Sequence, residues 1–115
     1  ILLYFLFLVS VFEEIIFRGF INSRMQGLLK NKYITIIIVS LLFSLIHWPF
    51  NSMWFQGSPL EYFRVHLPYH LILSLLHFIF QNLYNKYQNL AAPILVHFVY
   101  DYIQWFFIKE VNLLV

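Results

Sequence analysis

The chain has 115 residues, of which 62% are hydrophobic, 22% aromatic and only 10% charged. An average soluble domain has about 25% charged residues, so this composition is typical of a membrane protein. The formal net charge of +2 argues against nucleic-acid binding. The absence of cysteine excludes disulfides, thiolate metal sites and a cysteine nucleophile.

Four apolar segments follow one another along the chain, and each has about the 20 residues that a helix needs to cross a bilayer. They cover residues 1–21, 33–50, 63–83 and 90–108, with polar connections between them. Because lipid offers the backbone no hydrogen-bonding partners, such segments are expected to be helices. The sequence therefore predicts an all-α, polytopic transmembrane bundle with about four membrane helices and the lipid bilayer around it.

No internal repeat or low-complexity linker divides the chain, so residues 1–115 are predicted to form a single domain. Ile1 already lies within an apolar run that lacks the features of a signal peptide. We therefore expect a fragment of a longer protein, without its upstream helices. The abundance of Ile, Phe, Asn, Lys and Tyr favours an A+T-rich bacterial source, and hence a multi-pass protein of the bacterial plasma membrane.

The first segment carries three ionisable residues in the run F-E-E-I-I-F-R, namely Glu13, Glu14 and Arg18. A charged residue at the centre of a membrane helix costs roughly 2.5 to 3.5 kcal/mol, so such residues are usually paired and functional. Glu14 and Arg18 are four residues apart and can form an ion pair. Glu13 is turned by about 100° from Glu14 and is free to face another partner. The alternative is a purely structural ion cluster, or a segment end at the membrane interface.

The second and fourth segments carry further polar residues with helical spacing. Phe43 and His47 share one face of the second segment, and His97 and Asp101 lie one turn apart on the fourth. A single histidine on an apolar face is more often a core residue than a catalytic one. The depth of these residues favours a shared site, because Glu13 and His47 are predicted to lie within about 3 Å of each other along the membrane normal.

The order E-E-x-x-x-R, F-x-x-x-H and H-x-x-x-D on successive helices resembles the CPBP family, the CAAX-protease and bacteriocin-processing (Abi) intramembrane proteases. The resemblance covers most of the chain, from Glu13 to Asp101. It implies an intramembrane endopeptidase that hydrolyses a bond in a peptide or a membrane-associated protein. By this resemblance, Glu13 is the general base that activates a water, and His47 helps to position the water. Glu14 orients the site and Arg18 holds the glutamates.

The resemblance assigns His97 and Asp101 to stabilisation of the transition state. Many members of the family have asparagine where this chain has Asp101. An ionised aspartate can only accept hydrogen bonds, which argues against direct oxyanion binding by Asp101. We expect Asp101 to orient a histidine, or to act in its protonated form.

The sequence leaves the cofactor open. Glu13, His47 and His97 can make a three-ligand zinc site with a free position for water. The H-E-x-x-H motif of ordinary zinc proteases is missing. We favour a metal-free mechanism, because a carboxylate base and a histidine suffice to activate a water.

Two other classes of function remain as alternatives. One is a non-catalytic immunity or sensor-partner protein of the same fold, and the other is an ion or proton carrier, since buried Glu, His and Asp residues also form proton relays. A carrier would show potential-dependent flux without peptide cleavage. Outside the motifs, His66 and His70 are expected at the interfacial mouth of a helix, and His77 is expected to be a hydrogen-bonded residue of the bundle.

Overall fold

The computed structural model describes the backbone of residues 1–114 and the side chains of residues 1–107. Regular structure in this part of the chain is all helical, which confirms the predicted all-α class. The elements in chain order are α1 (Leu2–Glu14), a π-helical segment (Ile15–Asn22), α2 (Ser23–Leu29), α3 (Lys32–Ser52), α4 (Pro59–Val65), α5 (Leu67–Tyr87) and α6 (Ala91–Leu114). The single domain over residues 1–115 stays a prediction, and Val115 lies outside the described residues.

The first three elements form one continuous helical rod. The junction residues Glu14, Ile15, Asn22 and Ser23 all keep right-handed helical dihedral angles, so no break separates the elements. The apolar segment predicted over residues 1–21 is thus helical, and the helix continues beyond it to Leu29. Residues with good helix propensity continue it, and the rod ends where Lys30 adopts a left-handed conformation with φ of 53°.

α3 begins at a side-chain cap. The Asn31 side chain accepts hydrogen bonds from the backbone N–H groups of Tyr33 and Ile34, at 3.0 and 3.1 Å. These bonds satisfy two of the four donors that the first turn of a helix leaves unpaired. The cap fixes where α3 starts, and so places His47 about four turns further along the helix.

The predicted third segment is divided in two. α4 and α5 meet at His66 and are bent by 71° to each other. Pro68 lies in the first turn of α5, where its missing N–H is tolerated, but its ring does not allow the preceding turn to continue as one helix. The prediction of one uninterrupted helix over residues 63–83 was therefore wrong.

Within the described residues, Lys32–Ser52 is long and apolar enough to cross a membrane. A second span results if the bent pair of α4 and α5 is taken as one broken span. The predicted four membrane helices are thus not confirmed. The first predicted segment is helical from Leu2 onwards, but only the 13 residues of α1 are α-helical and the rest lies in the π-helical segment, so it is not one uninterrupted α-helix of membrane-spanning length.

The helices pack with their polar residues inside. α3 packs on α5, α1 packs on α6, and α5 lies between α3 and α6. The buried apolar core is small and consists of Phe17, Val39, Phe43 and Leu73. The buried polar set is larger and includes charged groups, whereas many large aliphatic side chains are exposed. This distribution is the reverse of that in a soluble domain, and it brings the ionisable residues of different helices together.

Candidate active site

The centre of the site is a buried ion pair between Glu14 and Arg18. The Arg18 Nε atom lies 2.8 Å from Glu14 Oε2, and both side chains are fully buried. The pair spans the point where α1 gives way to the π-helical segment, in which each turn closes between residues i and i+5. Such π-helical turns are rare and occur frequently at functional sites.

Arg18 is held on its other side by His77 of α5. Its Nη1 atom lies 2.8 Å from His77 Nε2, and its Nη2 donates to the His77 carbonyl oxygen at 3.2 Å. Since a guanidinium can only donate, His77 Nε2 must accept, and the ring proton resides on Nδ1. That nitrogen lies 3.4 Å from Ser40 Oγ of α3. The guanidinium also lies over the Phe80 ring, 5.5 Å from its centroid.

The second carboxylate oxygen of Glu14 binds His97 of α6. His97 Nδ1 donates to Glu14 Oε1 at 2.7 Å, and the imidazole is almost completely buried. This bond leaves His97 Nε2 to face Glu13 Oε2 at 3.6 Å and Asp101 Oδ2 at 3.5 Å. The His97 ring therefore lies between carboxylates on both of its nitrogen atoms.

Glu13 and His47 face each other across open space. Glu13 Oε1 lies 3.9 Å from His47 Nε2, and their side chains are 27% and 26% exposed. His47 Nδ1 donates to the Phe43 carbonyl oxygen at 2.7 Å, one turn back on α3. That bond directs the other ring nitrogen, Nε2, towards Glu13. His47 Nε2 is therefore free to bind a water.

Asp101 has a second neighbour on α1. The Asp101 Oδ2 atom lies 3.5 Å from Ser10 Oγ, and the same hydroxyl donates to the Leu6 carbonyl oxygen at 3.0 Å. Ser10 is completely buried, whereas Asp101 is 20% exposed. The carboxylate is thus held close to His97 by loose polar contacts rather than by a tight ion pair.

A cavity of about 170 Å³ joins these groups. Its polar wall is formed by Glu13, His47, His97 and Asp101. The rest of its lining is mostly apolar or aromatic and includes Leu73, Leu76, Phe80 and Tyr69. The volume is several times what a single water requires, so the cavity has room for a water and for part of a peptide.

Aromatic rings fix the imidazoles that surround the cavity. The Phe43 ring lies 4.7 Å from that of His47 and 4.5 Å from that of His77, measured between centroids. Phe80 stacks on His97 with a centroid distance of 5.0 Å. Because these contacts leave each ring little freedom to turn, the directions of its two nitrogens are well defined.

The structure brings all six residues of the sequence motifs to one place, namely Glu13, Glu14, Arg18, His47, His97 and Asp101. The expected division between the two glutamates is also present, because Glu14 binds Arg18 and Glu13 faces the histidines. One detail differs from the expectation that Arg18 holds both glutamates. Its contacts are with Glu14 and His77, while Glu13 Oε1 and Oε2 are directed towards His47 and His97.

His70 and His77 of α5 have hydrogen-bond partners that the sequence did not predict. His70 is buried against α3, and its carbonyl oxygen accepts the Ser44 hydroxyl at 2.7 Å, which joins α5 to α3; its place at the membrane interface stays a prediction. His77 is the expected hydrogen-bonded bundle residue, but its partner Arg18 was missed. Counting from the polar connections places the two residues at a similar depth, since Arg18 lies 12 residues before Lys30 and His77 nine before Lys86, but depth alone does not show which way each side chain faces. That difference of three residues is about 4.5 Å along a helix.

The zinc alternative does not fit this arrangement. Among the described residues, no group of three or more His, Cys, Asp or Glu side chains is placed to hold a metal ion. His97 Nε2 faces two carboxylates, with Glu13 Oε2 at 3.6 Å and Asp101 Oδ2 at 3.5 Å.

Comparison with known families identifies the chain. The sequence profile of the family described as type II CAAX prenyl endopeptidase Rce1-like matches residues 1–103. The chain belongs to this family. The resemblance to the CAAX proteases is thereby confirmed, and the Rce1-like protein is a membrane-embedded protease that acts on a peptide or protein. Searches of curated proteins and of solved structures found no match.

The buried ion pair yields a prediction about stability. Arg18→Met leaves the Glu14 carboxylate buried without its cation, and breaking a buried pair in this way costs about 3 to 5 kcal/mol. We expect a loss of this size in the free energy of unfolding, measured by denaturant titration in mixed micelles. The double variant Glu14→Gln/Arg18→Met should lose less, because no charge is left unpaired.

Arg24→Met is the matched control, since Arg24 is exposed on α2 and its replacement removes the same charge. It should change the free energy of unfolding by no more than about 0.5 kcal/mol. Equal losses for the Arg18 and Arg24 variants would contradict a structural role for the ion pair.

Proposed function

We propose that this Rce1-like protein is an intramembrane endopeptidase in which Glu13 activates the attacking water. The observation that supports this most is the separation of Glu13 from the two histidines, 3.9 Å to His47 Nε2 and 3.6 Å to His97 Nε2. These distances exceed a direct hydrogen bond, and polar contacts of that length are typically bridged by water. The cavity supplies the space for that water.

The reaction begins with the water between Glu13 and His47. His47 Nε2 binds the water, because Nδ1 is occupied by the Phe43 carbonyl oxygen. Glu13 takes a proton from it as the oxygen attacks the scissile carbonyl carbon. A C–O bond forms, and the electron pair of the carbonyl moves to its oxygen. When the C–N bond breaks, Glu13 returns the proton to the leaving nitrogen.

The developing oxyanion requires donors, and His97 is placed to supply one. With Nδ1 directed at Glu14 and Nε2 facing Glu13 and Asp101, both ring nitrogens meet carboxylate oxygens, which only accept. An imidazolium suits this position, and its Nε2–H can donate a hydrogen bond to the oxyanion. Asp101 is then an orienting partner of His97, and not itself a donor while it is ionised.

Glu14 and Arg18 take part by holding these groups. Glu14 fixes the ring of His97 through Nδ1, and Arg18 neutralises Glu14. Because both are fully buried, they do not face the cavity that would receive a substrate. Their task in this proposal is orientation rather than proton transfer.

The wider setting is a lipid bilayer, with the chain as part of a multi-pass protein of the bacterial plasma membrane. Its support is the distribution of residues in the bundle, with ionisable groups inside and exposed aliphatic residues such as Ile37, Leu41 and Leu75 outside. An apolar surface of this kind is stable in hydrocarbon, whereas a soluble protein would expose a contiguous apolar patch to water.

Glu13→Gln tests the proposed base. The amide keeps the shape of the side chain but cannot take a proton, and a general base contributes about 10² to 10⁴-fold. We expect kcat for peptide cleavage by the detergent-purified protein to fall by that factor, with the protein still folded. Glu61→Gln, an exposed residue of α4, is the control and should retain normal activity. Normal cleavage by Glu13→Gln would sink the assignment.

Chelation tests the metal-free mechanism. Glu13 and His47 can hold and activate a water without a cation, so activity should survive exhaustive treatment with a chelator. The measurement is the rate of peptide cleavage before treatment, after it, and after stoichiometric zinc is added back. Loss of activity that zinc restores would make Glu13, His47 and His97 metal ligands and overturn this mechanism.

Substitution of Asp101 tests its role beside His97. If it orients the imidazole, Asp101→Asn should keep most activity, because the amide oxygen can still accept a hydrogen bond. Asp101→Leu should lose most of it, since a buried imidazole that loses one of its polar partners costs about 1 to 3 kcal/mol. Equal damage in both variants, measured as kcat/KM, would instead mean that the carboxylate charge itself is required.

A further inference from the structure

His77 is a buried histidine that takes no part in the proposed chemistry. His77 lies on α5 and its side chain is completely buried. Both Nη atoms of Arg18 contact this residue. The ring nitrogen Nε2 lies 2.8 Å from Nη1, and the backbone carbonyl accepts from Nη2 at 3.2 Å. Two contacts from a single residue fix the plane of the guanidinium as well as its position.

The direction of each hydrogen bond follows from the donors. Arg18 has no acceptor, so His77 Nε2 accepts and the ring is neutral with its proton on Nδ1. That proton faces Ser40 Oγ at 3.4 Å, and the Ser40 hydroxyl in turn donates to the Ile36 carbonyl oxygen at 2.6 Å. Neither the other tautomer nor the imidazolium can accept from Arg18. The protonation state of His77 is thus set by its neighbours.

The same series of contacts reaches the cavity at its other end. Arg18 Nε lies 2.8 Å from Glu14 Oε2, and Glu14 Oε1 accepts from His97 Nδ1 at 2.7 Å. The opposite nitrogen of His97 faces Glu13 at 3.6 Å. The orientation of the His97 ring therefore depends on His77 through short, fully buried contacts that join α5, the first helical rod and α6.

We propose that His77 is a positioning residue that sets the orientation of His97 through Arg18 and Glu14. This inference rests on the proposed function, and it assigns to His77 an effect on kcat rather than on substrate binding. A residue that only stabilised the bundle would change the amount of folded protein and leave the turnover of each folded molecule unchanged. The two roles can therefore be separated by experiment.

The test compares His77→Leu and His77→Gln in peptide cleavage by the full chain in detergent, with rates expressed per folded molecule. Misplacement of a catalytic group by about 1 Å can cost about 10²-fold, so His77→Leu should lower kcat by roughly 10 to 100-fold with little change in KM. His77→Gln should restore most of the rate, because its amide oxygen can accept from Arg18 and its NH₂ can donate to Ser40.

His70→Leu is the matched control. His70 is also a buried histidine of α5, and its bonds with Ser44 likewise join α5 to α3, but it has no contact with Arg18. We expect its kcat per folded molecule to stay within about twofold of normal, a change below 0.5 kcal/mol in the barrier. A loss as large as that of His77→Leu would overturn the proposal, because any disturbance of the α3–α5 contact would then suffice.

A second readout is the ¹⁵N NMR spectrum of the histidines in the unsubstituted protein. We expect neutral His77 with its proton on Nδ1, and a changed Nδ1 resonance of His97 in His77→Leu. A proton on Nε2 of His77 in this spectrum would refute the positioning role. In the cleavage assay, a normal kcat in His77→Leu would refute it too, as would a loss of kcat in His77→Gln equal to that in His77→Leu. If His77→Leu does not fold, the Gln variant and the spectrum decide. Normal cleavage by Glu13→Gln would refute the proposed function instead.

Discussion

The ion pair between Glu14 and Arg18 is the interaction on which the rest of the structure depends. Both charges are completely removed from solvent, and a buried charge that lost its partner would be strongly destabilising. Each also needs further hydrogen bonds, which come from His97 on α6 and His77 on α5. The rotation of these two helices about their own axes is thereby fixed, because only one face of each carries the required imidazole.

This constraint explains why two adjacent glutamates can have different tasks. Consecutive residues on a helix lie at nearly the same depth but point about 100° apart. Glu14 can therefore bind Arg18 in the interior while Glu13 reaches the cavity, where it keeps 27% of its side chain exposed. A single glutamate could not both anchor the bundle and remain available to a water. In the proposed mechanism, Glu14 thus supplies the structural charge and Glu13 the reactive one.

Helical spacing was enough to predict the contacts within a helix and the depth of the site. Glu14 with Arg18, and His97 with Asp101, are each one turn apart, and positions counted from the polar connections placed Glu13 level with His47. The sequence could not predict the bond between Arg18 and His77, because the rotation of α5 is decided by packing. The bend at His66 was missed too, since the apolar pattern continues through Pro68 and hides the interruption.

The lining of the cavity agrees with what the proposed hydrolysis within an apolar bundle would require. Water must be present at the scissile bond, and hydrocarbon does not supply it, so part of the wall has to be polar. Glu13, His47, His97 and Asp101 provide that part, while Leu73 and Leu76 offer apolar contact to a substrate chain. Imidazoles in such a wall are useful only if their nitrogens point inwards. That direction is fixed for His47 by the Phe43 carbonyl oxygen, and for His97 by the buried carboxylate of Glu14. The two imidazoles are therefore oriented by their Nδ1 contacts, one with the backbone of the lining residue Phe43 and one with Glu14, which lies outside the cavity.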